Sequence, residues 1–394
     1  MAIFIDFFQK ADPYNLKFKI GNVSNAFVNA IRRTVISEIP TIGFDTAEYT
    51  DSSLTIIDNS SSLHNEYILH RLGLIPIFFK NVNDFDTSNY TFSINVENKT
   101  EHTIDVTSKD FKVFNKTTGL FEDTLDFFKP DPITGDHILI TRLKPNFGSD
   151  GEKLNITGSC IMGVGSYNAS FSPVSVSIFT NSIDNAKVET ELKEYISDLE
   201  IKKGSKLTLE EFEDSKNKFI IDESERHYFI DSNGEPYVFD FNIESIGIMK
   251  SSTILFDACT ILEDKIKYFI TLLNNDNNDD VEIVSSDAIM DAMDVIIKDE
   301  THTLGNLLQN YIYKYSSKDE LLFVGYKNPH PLIKTIVLRL SLKNNNVENV
   351  KKIITDACNK ALDDFNTVKT LVSREFPNIS KPIKVVKKII KKNK

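Results

Sequence analysis

The stretch SNAFVNAIRRTVISEIP, from Ser24 to Pro40, has the start signal, apolar stripe and stop of one amphipathic helix. Ser24 is a good N-cap, and Pro40 ends the helix because proline lacks an N–H and disfavours helical geometry in the residue before it. At about 100° per residue, five apolar side chains fall on one side and predict a core-facing stripe. They are Phe27, Val28, Ile31, Val35 and Ile39.

The opposite side of this helix carries Asn29, Arg33 and Ile36 in place of the lysines and glutamates of a solvated face. Asn29 and Arg33 are four residues apart and therefore share a face. Two interpretations are open at this point. Either the face is solvated and Ile36 is a stray apolar residue, or the helix is covered on both sides and Arg33 meets acidic or backbone groups of a partner.

Length and composition limit the class of protein. A chain of 394 residues with 41% hydrophobic residues is long enough for two or three domains with real cores. It contains no run of 18 or more apolar residues, and its start, MAIFIDFFQKAD, lacks the basic region of a signal peptide, so we expect no membrane partner. The three cysteines are odd in number and far apart, which favours buried thiols in a reducing compartment.

Charge is divided unevenly along the chain. The net charge is −12, yet the last 14 residues, KPIKVVKKIIKKNK, contain seven lysines and no acid. The remaining 38 basic and 57 acidic residues make a body that repels phosphate backbones, so we expect no direct sequence-specific nucleic-acid binding. We expect the tail, 381–394, to become ordered by contact with protein; a disordered tail and a nucleic-acid arm are the alternatives.

The pattern between the two ends predicts a divided chain. Alternating and β-branched residues predict strands from Tyr90 to Asn181, and the charged segment 185–235 contains one predicted helix, at 208–219. NNDNNDD (274–280) is the clearest linker. The predicted division is a first α/β copy at 1–50 plus 236–273, a β-rich insertion at 51–235, a linker at 274–280, a second copy at 281–376 and a basic tail at 377–394.

The second copy repeats the pattern of the first. With Asn29 placed on Asn306, the apolar stripe of the first helix coincides with that of DETHTLGNLLQNYIYKY (299–315). Each copy also has a short extended segment, at 41–46 and 322–328, and ends in a long amphipathic helix. We therefore predict an α+β fold in which the copies pair as an intramolecular pseudo-dimer; chance similarity of two helices is the alternative. The predicted shared core comprises Phe27, Ile31, Val35, Leu304, Leu308, Tyr311 and Tyr315.

Several motifs resemble one family of proteins. SNAFVNAIRRTVISEIPTIGFD and NEYILHRLGLIPI, followed by ILITRLKPNFGSDGEKLNITGSCIMGVG and FNIESIG, resemble the third-largest subunit of eukaryotic RNA polymerase II and its archaeal D-type equivalent. Both are relatives of the N-terminal domain of the bacterial alpha subunit. DETHTLGNLLQNYI and FVGYKNPHPLIKTIVLRL resemble the partner of that subunit, which is the archaeal L-type or the eleventh eukaryotic subunit. Such subunits are ordinarily separate chains, and a fusion together with the Asn, Lys and Ile bias resembles large nucleocytoplasmic DNA viruses.

The resemblance implies two alpha-N-terminal-domain-like dimerisation units that form an assembly platform for the largest and second-largest polymerase subunits. It also implies small zinc-binding subunits of the ten and twelve types as neighbours. The location implied is the virion and host cytoplasm for a viral chain, and otherwise the nucleus or cytoplasm. The family motif N-x-[LI]-R-R falls on Asn29, Arg32 and Arg33, and Gln309 and Asn310 stand at the arginine positions in the second copy. The residues expected to bind partners are Asn29, Arg32, Arg33, Glu38, His70 and Arg71.

Catalytic chemistry is not readable in the sequence, and we expect no cofactor. Several relatives carry a cysteine cluster for zinc or an iron–sulfur cluster in the insertion, but this insertion has only Cys160. The acidic stretches 276–280 and 291–299 contain the carboxylates that a Mg²⁺ site needs. The first, however, is a linker, and in the second apolar residues alternate with acids as on a solvated edge. The alternatives to a platform are therefore a stand-alone dimerisation-type adaptor and, with less support, a Mg²⁺-dependent nucleic-acid enzyme.

Overall fold

A computed structural model describes residues 2–9, 12–79, 85–145, 151–275, 278–287, 291–377 and 379. Within these ranges the fold is α+β, with seven α-helices. They are α1 (Asn25–Ser37), α2 (Asn65–Gly73), α3 (Asn185–Lys203), α4 (Leu209–Asp222), α5 (Ser251–Leu273), α6 (His302–Tyr315) and α7 (Val347–Glu375).

The strands fall before, between and after these helices. Those up to the middle of the chain are β1 (Phe4–Gln9), β2 (Asn15–Gly21), β3 (Pro40–Gly43), β4 (Leu54–Asn59), β5 (Tyr90–Glu97), β6 (Ile104–Thr107), β7 (Lys112–Asn115), β8 (Leu120–Glu122) and β9 (Leu139–Leu143). The others are β10 (Lys153–Gly158), β11 (Ile161–Val164), β12 (Val174–Asn181), β13 (Val238–Ser245), β14 (Val281–Ser285), β15 (Met293–Lys298), β16 (Leu321–Lys327) and β17 (Thr335–Leu342).

The chain divides into two compact units. Unit A comprises Met1–Arg33, Val176–Ile243 and Leu262–Pro377. Unit B comprises Thr34–Ser175 and Glu244–Ile261.

The two halves of the chain form sheets with the same strand order. The first sheet is ordered β1-β2-β13-β12 and the second β14-β15-β17-β16. In each half a strand pair precedes the short helix, α1 or α6, and the strand third in the sheet order precedes the long helix, α5 or α7. The repeat that the sequence predicts is therefore present in the topology, and α1 and α6 begin at matching positions, Asn25 and His302.

The extended segments of the two copies do not match as the sequence suggested. The sequence pattern pairs the stretch 41–46 with 322–328, but β3 bonds to β11 in a separate two-stranded sheet. The counterpart of β16 in the first sheet is β12, which the predicted division placed in the insertion. In the first copy the insertion lies between α1 and β12. In the second copy β16 follows α6 directly. The remaining predicted boundaries stay a prediction.

The two copies pack on each other within unit A. Phe27 of α1 stacks on Phe365 of α7 with ring centroids 4.4 Å apart. Lys369 of α7 donates to Glu263 of α5 at 3.0 Å, so the two long helices are also joined. Six of the seven residues predicted for the core are buried. They are Phe27, Ile31, Val35, Leu304, Leu308 and Tyr311.

Tyr315 is the exception among the predicted core residues. It is 44% exposed, and its ring lies 5.5 Å from that of Tyr311. Its position follows from the length of α6, because Tyr315 is the last residue of the helix. Tyr315 therefore lies at the edge of the core.

Unit B has its own core around a five-stranded antiparallel sheet, ordered β4-β10-β5-β7-β8. Aromatic rings fill it: Phe44 stacks on Phe111 at 5.6 Å, and Phe111 stacks on Phe128 at 4.5 Å. Helix α2 contributes Ile68, Leu69 and Leu72 to the same cluster.

Other sequence expectations were wrong or fall outside the described residues. The segment 185–235 holds two helices where one was predicted; α3 was missed because no residue of it is buried and its apolar residues are spread among charges. The strand β15, expected at a solvated edge, lies between β14 and β17. The tail 381–394 and residues 276–277 of the linker lie outside the described residues.

Candidate partner-binding surfaces

Helix α1 presents a polar face beside its buried stripe. Its start is capped as predicted, because the Ser24 hydroxyl accepts a hydrogen bond from the backbone N–H of Phe27 at 3.3 Å. Asn29 and Arg32 are partly buried, and Arg32 Nε donates to Asn29 Oδ1 at 3.0 Å. Burial, followed by the neighbouring charge of Arg33, lowers the pKa of Arg32. A guanidinium still stays protonated, so this face carries a fixed positive charge.

Arg33 has a partner within the chain, which the sequence prediction did not include. Its Nε donates to Thr303 Oγ1 of α6 at 2.8 Å. Thr303 is buried, and Thr301 Oγ1 lies 3.4 Å from the same hydroxyl. The arginine therefore joins the two copies, and its expected contact with a partner stays a prediction.

The matching face of α6 has a different chemistry. Gln309 stands where α1 has Arg32, and Tyr313 stands where α1 has Ile36. Tyr313 is 70% exposed. Sequence reasoning did not single out this tyrosine, although its spacing of four from Gln309 was a usable signal. The pseudo-dimer thus offers a cationic face on α1 and a neutral aromatic face on α6.

The edge of the second sheet adds apolar surface in the same copy. β16 is an edge strand, and the turn that follows it leads to β17. Leu332 in this turn is 89% exposed. Gly305 of α6 allows the sheet to approach closely, because a Cβ there would lie 2.7 Å from the ring of Tyr326. The exposed apolar side chains of this edge are Leu322, Phe323, Leu332 and Ile333.

The predicted residues of unit B lie at helix ends. Glu38 follows α1, is partly buried, and its N–H donates to Thr34 O at 3.0 Å. His70 and Arg71 are exposed in the last turn of α2, where basic side chains interact favourably with the helix dipole. Arg71 Nη2 also donates to Leu139 O at 2.5 Å, so part of its role is to fix α2 against β9.

An aspartate of the acidic stretch 291–299 forms an ion pair within the second sheet. Arg339 of β17 bonds to both carboxylate oxygens of Asp294, each at 2.6 Å. This hydrogen bonding is the main cause that holds the pKa of Asp294 below its usual range. Among the residues that the structure describes, no cluster of three His, Cys, Asp or Glu side chains is arranged to hold a metal ion.

The three cysteines, Cys160, Cys259 and Cys358, are buried. Burial raises the pKa of Cys160 and of Cys358 to about 12. Both thiols therefore stay protonated at physiological pH, and a thiol in this state is a poor nucleophile. Over the described part of the chain, no helix has the length and apolarity that a membrane crossing requires.

Comparison with known proteins agrees with this architecture. The chain is 25% identical to subunit 3 of DNA-directed RNA polymerases II, IV and V of Arabidopsis thaliana, over 64% of this chain and 85% of the relative. It is 25% identical to subunit RPAC1 of DNA-directed RNA polymerases I and III of Saccharomyces cerevisiae, over 65% and 84%. Subunit Rpo3 of the RNA polymerase of Methanosphaera stadtmanae is also 25% identical, over 68% and 98%.

Two family models cover most of the chain, and both describe the RNA polymerase Rpb3/Rpb11 dimerisation domain. One matches residues 17–266 and the other residues 292–370, so the first match includes the insertion and the second corresponds to the second copy. The chain therefore belongs to the RNA polymerase Rpb3/Rpb11 dimerisation domain family and carries two such domains.

Proposed function

We propose that this chain is the non-catalytic assembly platform of a multisubunit DNA-directed RNA polymerase, in which a D-like and an L-like part are fused. The family, the polymerase subunits among its relatives and the repeat of the topology support this role. One observation carries it: the matching faces of α1 and α6 differ in chemistry, as two unlike large partners require. A symmetric dimer would present the same face twice.

The α1 face is the proposed docking surface for the second-largest subunit. Asn29 and Arg32 form a paired, partly buried polar group there, and Arg32 is cationic. A partner that covers this face would offer carboxylates or backbone carbonyls, because a guanidinium is a hydrogen-bond donor only. Arg33, four residues from Asn29, is proposed as a further docking residue of this face, which its bond to Thr303 joins to α6.

The second copy is the proposed docking surface for the largest subunit. Tyr313 on α6 and the apolar edge defined by Leu322, Phe323, Leu332 and Ile333 are exposed in the isolated chain. Tyrosine and large aliphatic side chains are the residues that a buried interface centre favours. Glu38, His70 and Arg71 are proposed as further contacts in unit B, for the large subunits or for small zinc-binding subunits of the ten and twelve types.

A large DNA virus is the proposed source, with the virion and host cytoplasm as the location. The presence of both dimerisation domains in one chain and the Asn, Lys and Ile bias support this proposal. The genome that encodes the chain, read beside its neighbouring genes, tests it.

Two charge variants test the docking faces in co-purification with the other subunits. Arg32→Glu should lose the second-largest subunit and keep the largest, and Tyr313→Asp should do the reverse. Lys206→Glu and Ile133→Asp are the matched controls, because both residues are exposed and lie outside the proposed faces. Normal assembly of both docking variants would contradict the assignment.

A further inference from the structure

We propose that the contact between Arg33 and Thr303 selects pairing of the first copy with the second, against pairing of the first copies of two chains. The bond joins Arg33 Nε of α1 to Thr303 Oγ1 of α6 at 2.8 Å. Thr303 is buried and Arg33 is partly buried, so neither group can exchange this bond freely for water. The proposal concerns how the copies find each other and does not depend on the function proposed above.

The contact has no counterpart at the matching positions. The register that places Asn25 on His302 places Ala26 on Thr303 and Arg33 on Asn310. A symmetric pair would repeat the bond between positions 26 and 310, but Ala26 has no hydroxyl. Asn310 Oδ1 is buried and accepts no hydrogen bond from any residue that the structure describes. One half of the pseudo-symmetric interface is therefore bonded and the other half is not.

This asymmetry distinguishes the possible pairs. Two first copies would set Arg33 of each chain against Ala26 of the other, so both Nε donors would lose the threonine acceptor. For each partly buried donor, the loss of this acceptor lowers the equilibrium constant for pairing by roughly tenfold. Two first copies are therefore disfavoured by about a hundredfold relative to the observed pair. The apolar stripes cannot distinguish the observed pair from a pair of first copies. Phe27 matches Leu304 and Ile31 matches Leu308, and all four side chains are apolar.

Light scattering of the full chain tests the proposal. Each variant is unfolded, refolded at increasing protein concentration and measured for molar mass. We expect the wild type to refold as a monomer and Thr303→Val to form dimers in addition, because the valine keeps the shape of the side chain but removes the acceptor. Thr370→Val is the matched control, since the Thr370 hydroxyl bonds along its own helix, to Asn366 O at 2.8 Å.

A relocated contact separates selection from simple loss of stability. The variant Ala26→Thr, Asn310→Arg, Arg33→Asn, Thr303→Ala moves the same pair to the matching positions and should restore the monomer. Phe365→Leu weakens apolar packing between the copies without touching the polar pair and should remain monomeric. A monomeric Thr303→Val at every concentration, or dimers of the wild type, would overturn the proposal.

Discussion

The ring of Phe27 lies on the ring of Phe365, with centroids 4.4 Å apart and planes inclined by 21°. The first residue belongs to the short helix of the first copy and the second to the long helix of the second copy, and both are fully buried. Stacked rings add to the free energy of burial. The two copies therefore share one core within unit A, and neither copy buries its stripe alone.

Truncation of one of these rings should destabilise the whole of unit A. We expect Phe365→Ala to lower the free energy of unfolding by about 3–5 kcal/mol, since it removes a fully buried ring and leaves a cavity. Urea unfolding followed by circular dichroism measures the change. Phe121→Ala is the control, because Phe121 is largely exposed, and it should cost far less. Equal costs for the two variants would contradict a shared core.

A cut in the linker should leave the two halves together. A protease site placed in 274–280 allows cleavage after folding, and the contacts of Arg33 with Thr303 and of Lys369 with Glu263 then hold the fragments without a peptide bond. We expect the cleaved chain to elute as one species in size exclusion. Separation of the fragments without denaturant would show that the copies are independent domains.

The Asp294–Arg339 pair should make the second sheet sensitive to acid. The pKa of Asp294 is lowered in the folded state, so its stabilising contribution is complete above the unfolded value, about 4, and is lost as the pH falls through the lower folded value. Asp294→Asn should cost about 1.5–3 kcal/mol at pH 7, where it removes a charged hydrogen bond. The difference in free energy of unfolding between Asp294→Asn and the wild type should shrink at low pH in urea titrations. A difference that stays constant with pH would show that the charge of Asp294 is not involved.

The bond between Tyr311 and Asp364 should also contribute less at low pH, although the pKa of Asp364 is shifted in the opposite direction from that of Asp294. Burial is the main cause that raises the pKa of Asp364, and the hydroxyl of Tyr311, which donates to it at 2.6 Å, opposes that rise. Tyr311→Phe should therefore raise the pKa of Asp364 further. It should destabilise the chain by about 1–3 kcal/mol above the folded pKa of Asp364 and by less as the carboxyl becomes protonated. An unchanged titration of Asp364, measured by NMR, would contradict this role.

Sequence periodicity predicted the repeated helices well, because Ser24, Pro40 and the spacing of the apolar residues are local signals. It could not predict that Arg33 bonds to Thr303, since that contact depends on how two distant helices cross. It also missed helix α3, whose side chains are not fully buried anywhere along its length. The register between Asn29 and Asn306 was the most informative signal, because it showed that the matching faces of the two helices differ, although Tyr313 was not singled out from it.

The wider role of the chain depends on what it binds. Affinity purification of the tagged wild-type chain from its own source, followed by mass spectrometry, tests this most directly. We predict that two chains much larger than this one, the largest and second-largest subunits of a DNA-directed RNA polymerase, co-purify in equal amounts with it. Recovery of the chain alone, or with partners unrelated to RNA polymerase, would contradict the platform and favour a stand-alone adaptor.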